Sequence, residues 1–352
     1  MTVLDWLLDS DPSLRWQVLR DLAGAAPEAV AAERARVATE GWGARLLALR
    51  DDDGQWAHGA YFPADGDLSE SASSESDGPE TAGTDVDRFE NDGADHSGRD
   101  EGWDSWPQPW TATTYSLLLL RDFGIDPRSE PMRRTVALVR DNCRWEEGGQ
   151  RYFDGEVEAC INGMTVALGA YFDQDVDGVV SRLISEQLDD GGWNCWAESG
   201  AVVSSAATTI NVLEGLLAHE RATGGSEQSA HARRRGEEYL LERGLFRRKS
   251  TGEVIDPAWL TFSFPTRWHY DVLRALEYFS SAGDPPDPRV AEAVELLRTK
   301  RQPDGTWLLE NTHPGNVHFT VDDGDGRPSR WNTLRALRVL DWYGSRCVSG
   351  SA

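Results

Sequence analysis

The chain has 352 residues, 39% of them hydrophobic, which suffices for two average domains or for one large domain with a substantial core. Its formal net charge of −25 argues against nucleic acid as a partner, because most of the surface would repel a phosphate backbone. Lys249 and Lys300 are the only lysines, and the excess of acidic residues suggests a halophile or, alternatively, a high-GC genome with an ordinary acidic surface.

The N-terminal stretch 1–10 lacks the basic region and long apolar run of a signal peptide. No run of about 18 apolar residues occurs in the chain, so no transmembrane helix is predicted. We therefore expect a cytoplasmic protein, with peripheral membrane contact left open. Four cysteines are too widely spaced for a disulfide framework or a CxxC metal pair, namely Cys143, Cys160, Cys195 and Cys347.

An acidic segment interrupts the chain between Asp65 and Asp104. It holds 14 acidic residues against Arg88 and Arg99, a net charge of −12. Because such a segment buries too little apolar area to offset the entropy of ordering, it is predicted to be a disordered loop insertion in a single domain spanning 1–352. A solvating loop is the simplest role for it, and docking to a basic partner is the alternative.

Six segments share one helical pattern, an anchoring leucine followed three residues later by Leu, Phe or Tyr. The anchors are separated by 101, 48, 45, 60 and 61 residues, and removing the acidic insertion brings the first interval to about 61. This period fits one helical hairpin per repeat. The six segments are Arg15–Leu22, Thr114–Phe123, Met164–Tyr171, Thr209–Leu216, His269–Leu276 and Trp331–Leu337.

Amphipathic stretches with charged faces alternate with these segments and are predicted to be outer helices: Met132–Cys143, Val176–Gln187, Arg234–Leu245 and Arg289–Gln302. Glycine-containing turns ending on an aromatic residue recur four times: Asp52–Trp56, Glu147–Tyr152, Gln187–Trp193 and Gln302–Trp307. In each turn glycine permits a left-handed backbone and the aromatic ring can cover a helix end. The repeats predict an all-α fold of six hairpins, whose six inner helices enclose a central cavity.

The turns Gln187–Trp193 and Gln302–Trp307 look like the QW motifs of terpenoid cyclases. With the repeated helices, they resemble the squalene-cyclase and protein-prenyltransferase superfamily over nearly the whole chain apart from the insertion. This resemblance implies an α/α toroid, with six inner and six outer helices. It also implies a central cavity that binds a terpenoid or polyprenyl substrate, which the protein would cyclise, isomerise or transfer.

The chain lacks the DxDD motif of class II cyclases and the DDxxD motif of class I enzymes. The nearest acidic clusters, Asp51–Gly54 and Asp322–Asp325, fit polar turns better. Two other hypotheses therefore stand beside the terpenoid enzyme: a non-catalytic binding or scaffold toroid, and a carbohydrate-active α/α toroid. Apolar and aromatic cavity walls would favour a terpenoid, whereas paired carboxylates would favour glycoside chemistry.

Candidate catalytic residues lie at the start of the fifth repeated segment. Asp271 is spaced to contact Arg267 and Arg274, as a salt bridge on a helix face or as a desolvated acid able to protonate an alkene or epoxide. His269 is a candidate base, with a structural hydrogen bond as the alternative.

Candidate substrate-binding residues are aromatic or cationic and lie near the starts of the repeated segments: Trp16, Trp110, Tyr115, Arg267, Tyr270, Arg330 and Trp331. Aromatic faces could stabilise a carbocation, although packing between helices is the simpler role. Parallel inner helices would also gather their positive N-terminal ends at one rim, where a diphosphate could bind.

A zinc site is the last expectation. Glu158-Ala-Cys160 precedes the third repeated segment, and its placement resembles that of the Asp-x-Cys zinc ligands of protein prenyltransferase β subunits. Cys195 leads into the fourth segment and would reach the same rim, with His269 a more distant fourth candidate. Two thiolates and a carboxylate suit zinc, and the alternative is that the cysteines are small buried apolar residues.

Overall fold

The computed structural model describes residues 2–64 and 110–347; the predicted acidic insertion 65–104 lies outside them. α-Helices dominate the described residues, as predicted, and Trp307–Leu308 (β1) pairs antiparallel with Pro328–Ser329 (β2). The helices in chain order are α1 (Val3–Leu8), α2 (Pro12–Asp21), α3 (Pro27–Arg36), α4 (Gly41–Ala48), α5 (Thr113–Asp122), α6 (Glu130–Asn142), α7 (Ala159–Tyr171), α8 (Asp177–Ser185), α9 (Ala206–Thr223), α10 (Glu227–Leu241), α11 (Val272–Ala282), α12 (Ala291–Thr299) and α13 (Arg330–Cys347).

Polar caps set where several helices begin. Asp11 accepts a hydrogen bond from the Ser13 amide and precedes a proline, so α2 starts on a residue that needs no amide donor. Asp271 caps α11 by accepting from the Arg274 amide, at 2.7 Å. α11 therefore begins at Val272, which leaves the first part of the predicted segment His269–Leu276 outside the helix.

Three of the four predicted aromatic turns share one hydrogen-bonding arrangement. In each turn the tryptophan indole donates to the carbonyl ten residues earlier, near the end of the preceding helix, over 2.7–2.9 Å. The tryptophan amide donates to a threonine hydroxyl in the next repeated helix, over 2.9–3.1 Å. The turn thus ties two helices together. The three sets are Trp56 with Leu46 and Thr113, Trp193 with Leu183 and Thr209, and Trp307 with Leu297 and Thr333.

The repeated helices contact one another in chain order. α7 packs closely on α9 where Gly163 meets Asn211. A Cβ atom at Gly163 would lie only 2.5 Å from the Asn211 carbonyl oxygen, so the close approach requires glycine there. α5 also contacts α7, α9 contacts α11, α11 contacts α13, and α13 contacts α2. α2 is joined to the end of α5 by the Trp16 indole, which donates to the Phe123 carbonyl at 2.9 Å. Each of the six helices therefore has a neighbour on either side.

The predicted amphipathic stretches are helical, as α6, α8, α10 and α12. α8 packs on α7, α10 on α9, and α12 on α11, each through its apolar face. The sequence analysis did not identify α1, α3 and α4, which pack on or beside α2. α3 has no fully buried residue, so it lacks a strong apolar pattern.

Candidate functional site

A cavity of about 420 Å³ lies among the six repeated helices. α2, α5, α7, α9, α11 and α13 all contribute to its wall, and we call them the cavity helices. About half of the lining residues come from the C-terminal halves of these helices, and those of α13 come from its N-terminal half. The polar and aromatic lining residues are Trp16, Gln17, Arg20, Arg34, Arg121, Asp122, Tyr171, Glu214, Arg221, Phe264, Thr266, Arg274, Glu277, Tyr278, Ser281, Trp331, Arg335 and Arg338.

One position of the repeat supplies much of the charge. The residue directly after the anchoring leucine lines the cavity in five of the six repeats, and it is charged each time: Arg20, Arg121, Glu214, Arg274 and Arg335. The sequence analysis missed this position because it compared only the apolar residues of the repeat. A charged residue recurring inside an apolar helical pattern was the signal that could have revealed the cavity wall.

The cavity is positively charged although the protein is strongly acidic. Seven arginines line it against three carboxylates, Asp122, Glu214 and Glu277. Part of this bias has a local cause, since Arg20, Arg121 and Arg221 lie in the last turns of their helices, where the helix dipole favours cations. The other four arginines are bonded to groups in or beside the wall: Arg274 to Glu214, Arg335 to Glu277, Arg338 to Asp21, and Arg34 to the Gly124 carbonyl. With Asp21 included, the seven arginines still outnumber four carboxylates, so the cavity is electrostatically suited to an anionic ligand.

Two of the three carboxylates form ion pairs between neighbouring cavity helices. Glu214 of α9 makes a two-pronged ion pair with Arg274 of α11, with both N···O distances 2.8 Å. Glu277 of α11 bonds Arg335 of α13 at 2.6 Å. Burial acts to raise the pKa of Glu214, but the charge and hydrogen bonds of Arg274 lower it below its usual value. Glu214 is therefore held ionised.

The pKa of Asp122 is shifted in the opposite direction. Burial raises the pKa of its carboxyl, the nearby charges of Glu214 and Glu277 raise it further, and its neighbour Arg121 opposes the shift. Both hydrogen bonds from Arg121 reach Oδ1, and within the described residues Oδ2 accepts none. The Asp122 side chain is 32% exposed. A cavity-facing carboxyl with a raised pKa beside a carboxylate with a lowered one is the arrangement of an acid–base pair.

A second, smaller chamber adjoins the main cavity. The two share Arg121, Asp122, Glu214, Thr266 and Arg274 as lining residues. The chamber extends toward Tyr115, Met164, Asn211 and Arg267. Asp122 and Glu214 therefore lie where the chamber and the main cavity adjoin.

Four of the predicted substrate-binding residues line these spaces and three do not. Trp16 and Trp331 line the main cavity, and Tyr115 and Arg267 line the chamber. Trp110 is buried and donates to the Pro314 carbonyl at 2.9 Å, while the Tyr270 hydroxyl donates to the Leu245 carbonyl at 2.6 Å. Arg330 bonds the backbone carbonyls of Trp6 and Asp9, both at 3.3 Å. The contacts of these last three are structural.

The two predicted catalytic residues line neither space. Asp271 is buried and accepts hydrogen bonds from the Arg274 amide and from the Ser263 amide and hydroxyl. These are the contacts of a helix cap, in place of the predicted ion pairs to Arg267 and Arg274. His269 lies between the rings of Trp268 and His313, with centroids 3.8 and 3.6 Å away. Burial lowers the pKa of His269 well below its usual value, as does the charge of His313.

The predicted metal ligands lie together. One ligand atom from each of Glu158, Cys160 and Cys195 lies within 4.8 Å of the others, and His269 is outside this group. The Cys195 thiol, the burial of Cys160 and the Glu158 charge all raise the Cys160 pKa well above its usual value, and burial raises that of Glu158. Two sulfur ligands and one carboxylate suit zinc, which would displace the thiol protons.

Comparison with known proteins does not assign the chain. No protein-family model matches it, and no curated protein matches its sequence. Among the described residues, no helix combines the length and apolar character needed to cross a membrane. The cavity chemistry is therefore the main basis for a functional conclusion.

Proposed function

We propose that this protein is an enzyme that binds a small anionic substrate in the arginine-lined cavity and acts on it by acid–base catalysis. Asp122 is the acid, and the ionised Glu214 stabilises positive charge. One observation carries this proposal: two carboxyl groups of opposite protonation tendency face a cavity that also holds seven arginines.

The scaffold of this proposal is an α/α toroid of the squalene-cyclase and prenyltransferase type. The chain order of the contacts supports a closed ring, because the last cavity helix packs on the first through Arg338, which bonds Gln17 and Asp21. A cavity lined by all six helices is expected at the centre of such a ring. The recurring tryptophan turns between outer and inner helices fit the QW-like pattern of the sequence.

The cavity lining favours an anionic substrate over a wholly apolar terpenoid. A neutral hydrocarbon would strip water from the arginines and carboxylates and offer them no hydrogen bonds in return, which is costly. An anionic isoprenoid is a second candidate, because Phe264 and Trp331 form an aromatic wall with stacked rings 4.4 Å apart. The prenyl chain of such a ligand would lie on these rings, and its phosphates would pair with the arginines.

The group of Glu158, Cys160 and Cys195 is proposed to hold zinc. When bound there, zinc would supply a Lewis acid or activate a thiol or a water. The residues that would hold it are Glu158 and Cys160, at the start of α7, and Cys195, ahead of α9.

Ligand binding and turnover with an Asp122→Asn variant test the catalytic proposal. Thermal shifts would be measured with a prenyl diphosphate and with a hexuronate, and conversion followed by mass spectrometry. We expect wild type to bind and convert one of these anions, and Asp122→Asn to bind it without conversion, since the amide cannot donate the proton as an acid. Binding without conversion by wild type would indicate a non-catalytic binding protein. A cavity that binds neither anion would contradict the proposal.

A further inference from the structure

Arg267 is a buried arginine for which the structure supplies no anionic partner. Arg267 is 9% exposed, and within the described part of the chain its guanidinium forms no hydrogen bond or ion pair, although its nitrogen atoms are not fully enclosed. Its packing partner is Trp110, whose ring centroid lies 5.2 Å from Cζ. The Arg267 backbone has a φ of 56°, in the left-handed region that arginine seldom adopts. The protein thus holds a mostly buried cation, without an anionic partner in the described residues, at the wall of the chamber and in an uncommon backbone conformation.

The charges around Arg267 compensate it only in part. Burial lowers the Arg267 pKa to about 10, although the Tyr115 phenol and Asp122 act in the opposite direction. A guanidinium with that pKa is still protonated at neutral pH. Asp122 is bonded to Arg121, and Glu214 is bonded to Arg274, so both carboxylates of the chamber already have arginine partners.

We propose that the small chamber is a binding site for one terminal anionic group, a carboxylate or a phosphate, and that Arg267 is its ligand. This inference rests on the proposed function and specifies its substrate: a molecule with an anionic end group that enters the chamber first. The chamber, of about 20 Å³, has room for little more than one water-sized group, so only the oxygen atoms of such an end group would enter it and reach Arg267. The rest of the substrate lies in the main cavity.

This placement also specifies where the chemistry occurs. Asp122 and Glu214 line both spaces, so they lie at the boundary between the chamber and the main cavity. With its anionic group on Arg267, the substrate presents the bonds next to that group to Asp122. Arg267 is thus a specificity-determining residue, which selects for an anionic end group and sets the register of the substrate.

Titration calorimetry with inorganic diphosphate and with glucuronate, at constant ionic strength, tests this site and separates the two sources of negative charge. The variants are Arg267→Met and Arg267→Gln, with Arg221→Met in the main cavity and the exposed Arg133→Met as the control. We expect wild type to bind at least one probe, and both Arg267 variants to weaken it by about tenfold or more, as expected for loss of a charged hydrogen bond. Arg133→Met should bind as wild type does.

The outcomes separate the two proposals. The unliganded Arg267 variants should melt no lower than wild type, because an unpaired buried charge has been removed. If both Arg267 variants bind the probes as wild type does while Arg221→Met weakens them, the anionic cavity stands and the Arg267 site is wrong. If the Arg267 variants lose thermal stability without weakening the probes, Arg267 is a packing residue. Failure of wild type to bind either probe would contradict both the site and the proposed function.

Discussion

The imidazole rings of His269 and His313 stack face to face, with centroids 3.6 Å apart and planes within 6° of parallel. Two protonated rings could not adopt this contact without strong repulsion. Burial lowers the pKa of both groups, to about 4 for His313, and the charges of Arg267 and Arg274 lower both further. The stacked pair is therefore neutral in the folded protein at neutral pH.

This pair should make stability depend on pH. Both pKa values lie below the unfolded value of 6.5, so the unfolded chain binds more protons between about 4 and 6.5. The free energy of unfolding should therefore increase as pH rises across this window and decrease as pH falls through it. Allowing for partial exposure, His313 should contribute roughly 2 kcal/mol to the change.

Chemical denaturation from pH 4 to 7 measures this effect, with about 4 and 6.5 as the bounds of the window. We expect His313→Gln to flatten the pH dependence, because the substituted side chain does not titrate. The exposed His231→Gln serves as the control and should keep the wild-type slope. An unchanged slope in His313→Gln would show that the stacked pair does not control acid stability.

The Glu214–Arg274 ion pair gives a second prediction. Glu214→Gln leaves the Arg274 guanidinium, nearly buried in the cavity wall, without its carboxylate, and should lower the free energy of unfolding by about 3 kcal/mol. Adding Arg274→Met to Glu214→Gln should recover part of this loss, since the unpaired charge is removed. The exposed pair Glu238–Arg289 is the control, and Glu238→Gln should cost less than about 1 kcal/mol. Equal losses in the two glutamine variants would contradict the buried-pair argument.

Much of the helical framework could be predicted from the sequence, because it depends on local pattern. Anchoring leucines at a repeated spacing indicate helices, and each of the six predicted segments does contain helical residues. The cap formed by Asp271 is also local, and an aspartate directly before an apolar helical run would have predicted it. The prediction that Asp271 is catalytic was based on the charged residues near it in sequence. It overlooked the position of Asp271 directly before a helix.

The candidate site could be predicted only in part. Glu158, Cys160 and Cys195 converge because the starts of neighbouring repeats meet at the same end of the helices, which the repeat pattern implies. Asp122 could not be identified in this way. Its pKa depends on burial and on Glu214 and Glu277, which lie far away in sequence on α9 and α11. Such an environment exists only after the helices pack.

The shared tryptophan turns give a third prediction, which concerns stability. Trp193→Phe removes the indole bond to the Leu183 carbonyl and part of a fully buried side chain, so it should cost about 2 kcal/mol. Trp307→Phe should behave alike, because its bond to Leu297 has the same geometry. The control is Trp196→Phe, a residue 49% exposed, which should change stability by less than about 0.5 kcal/mol. Urea denaturation measures all three, and a similar cost for Trp196→Phe would contradict the role assigned to the turns.

The last prediction concerns zinc. Protein purified without chelator should contain about one zinc per chain, because two thiolates and a carboxylate form a three-ligand site. Cys160→Ser and Cys195→Ser should each remove most of the metal, since a serine hydroxyl is a far poorer zinc ligand than a thiolate. Cys143→Ser is the matched control, because Cys143 is buried and lies outside the group. Zinc binding should also weaken as pH falls. Burial and the neighbouring groups favour the protonated forms of Cys160 and Glu158, and the metal must displace these protons to bind. Metal analysis at two pH values measures both effects. A zinc content that is near zero in wild type, or equal in all four proteins, would show that the two thiols are small packing residues beside Glu158.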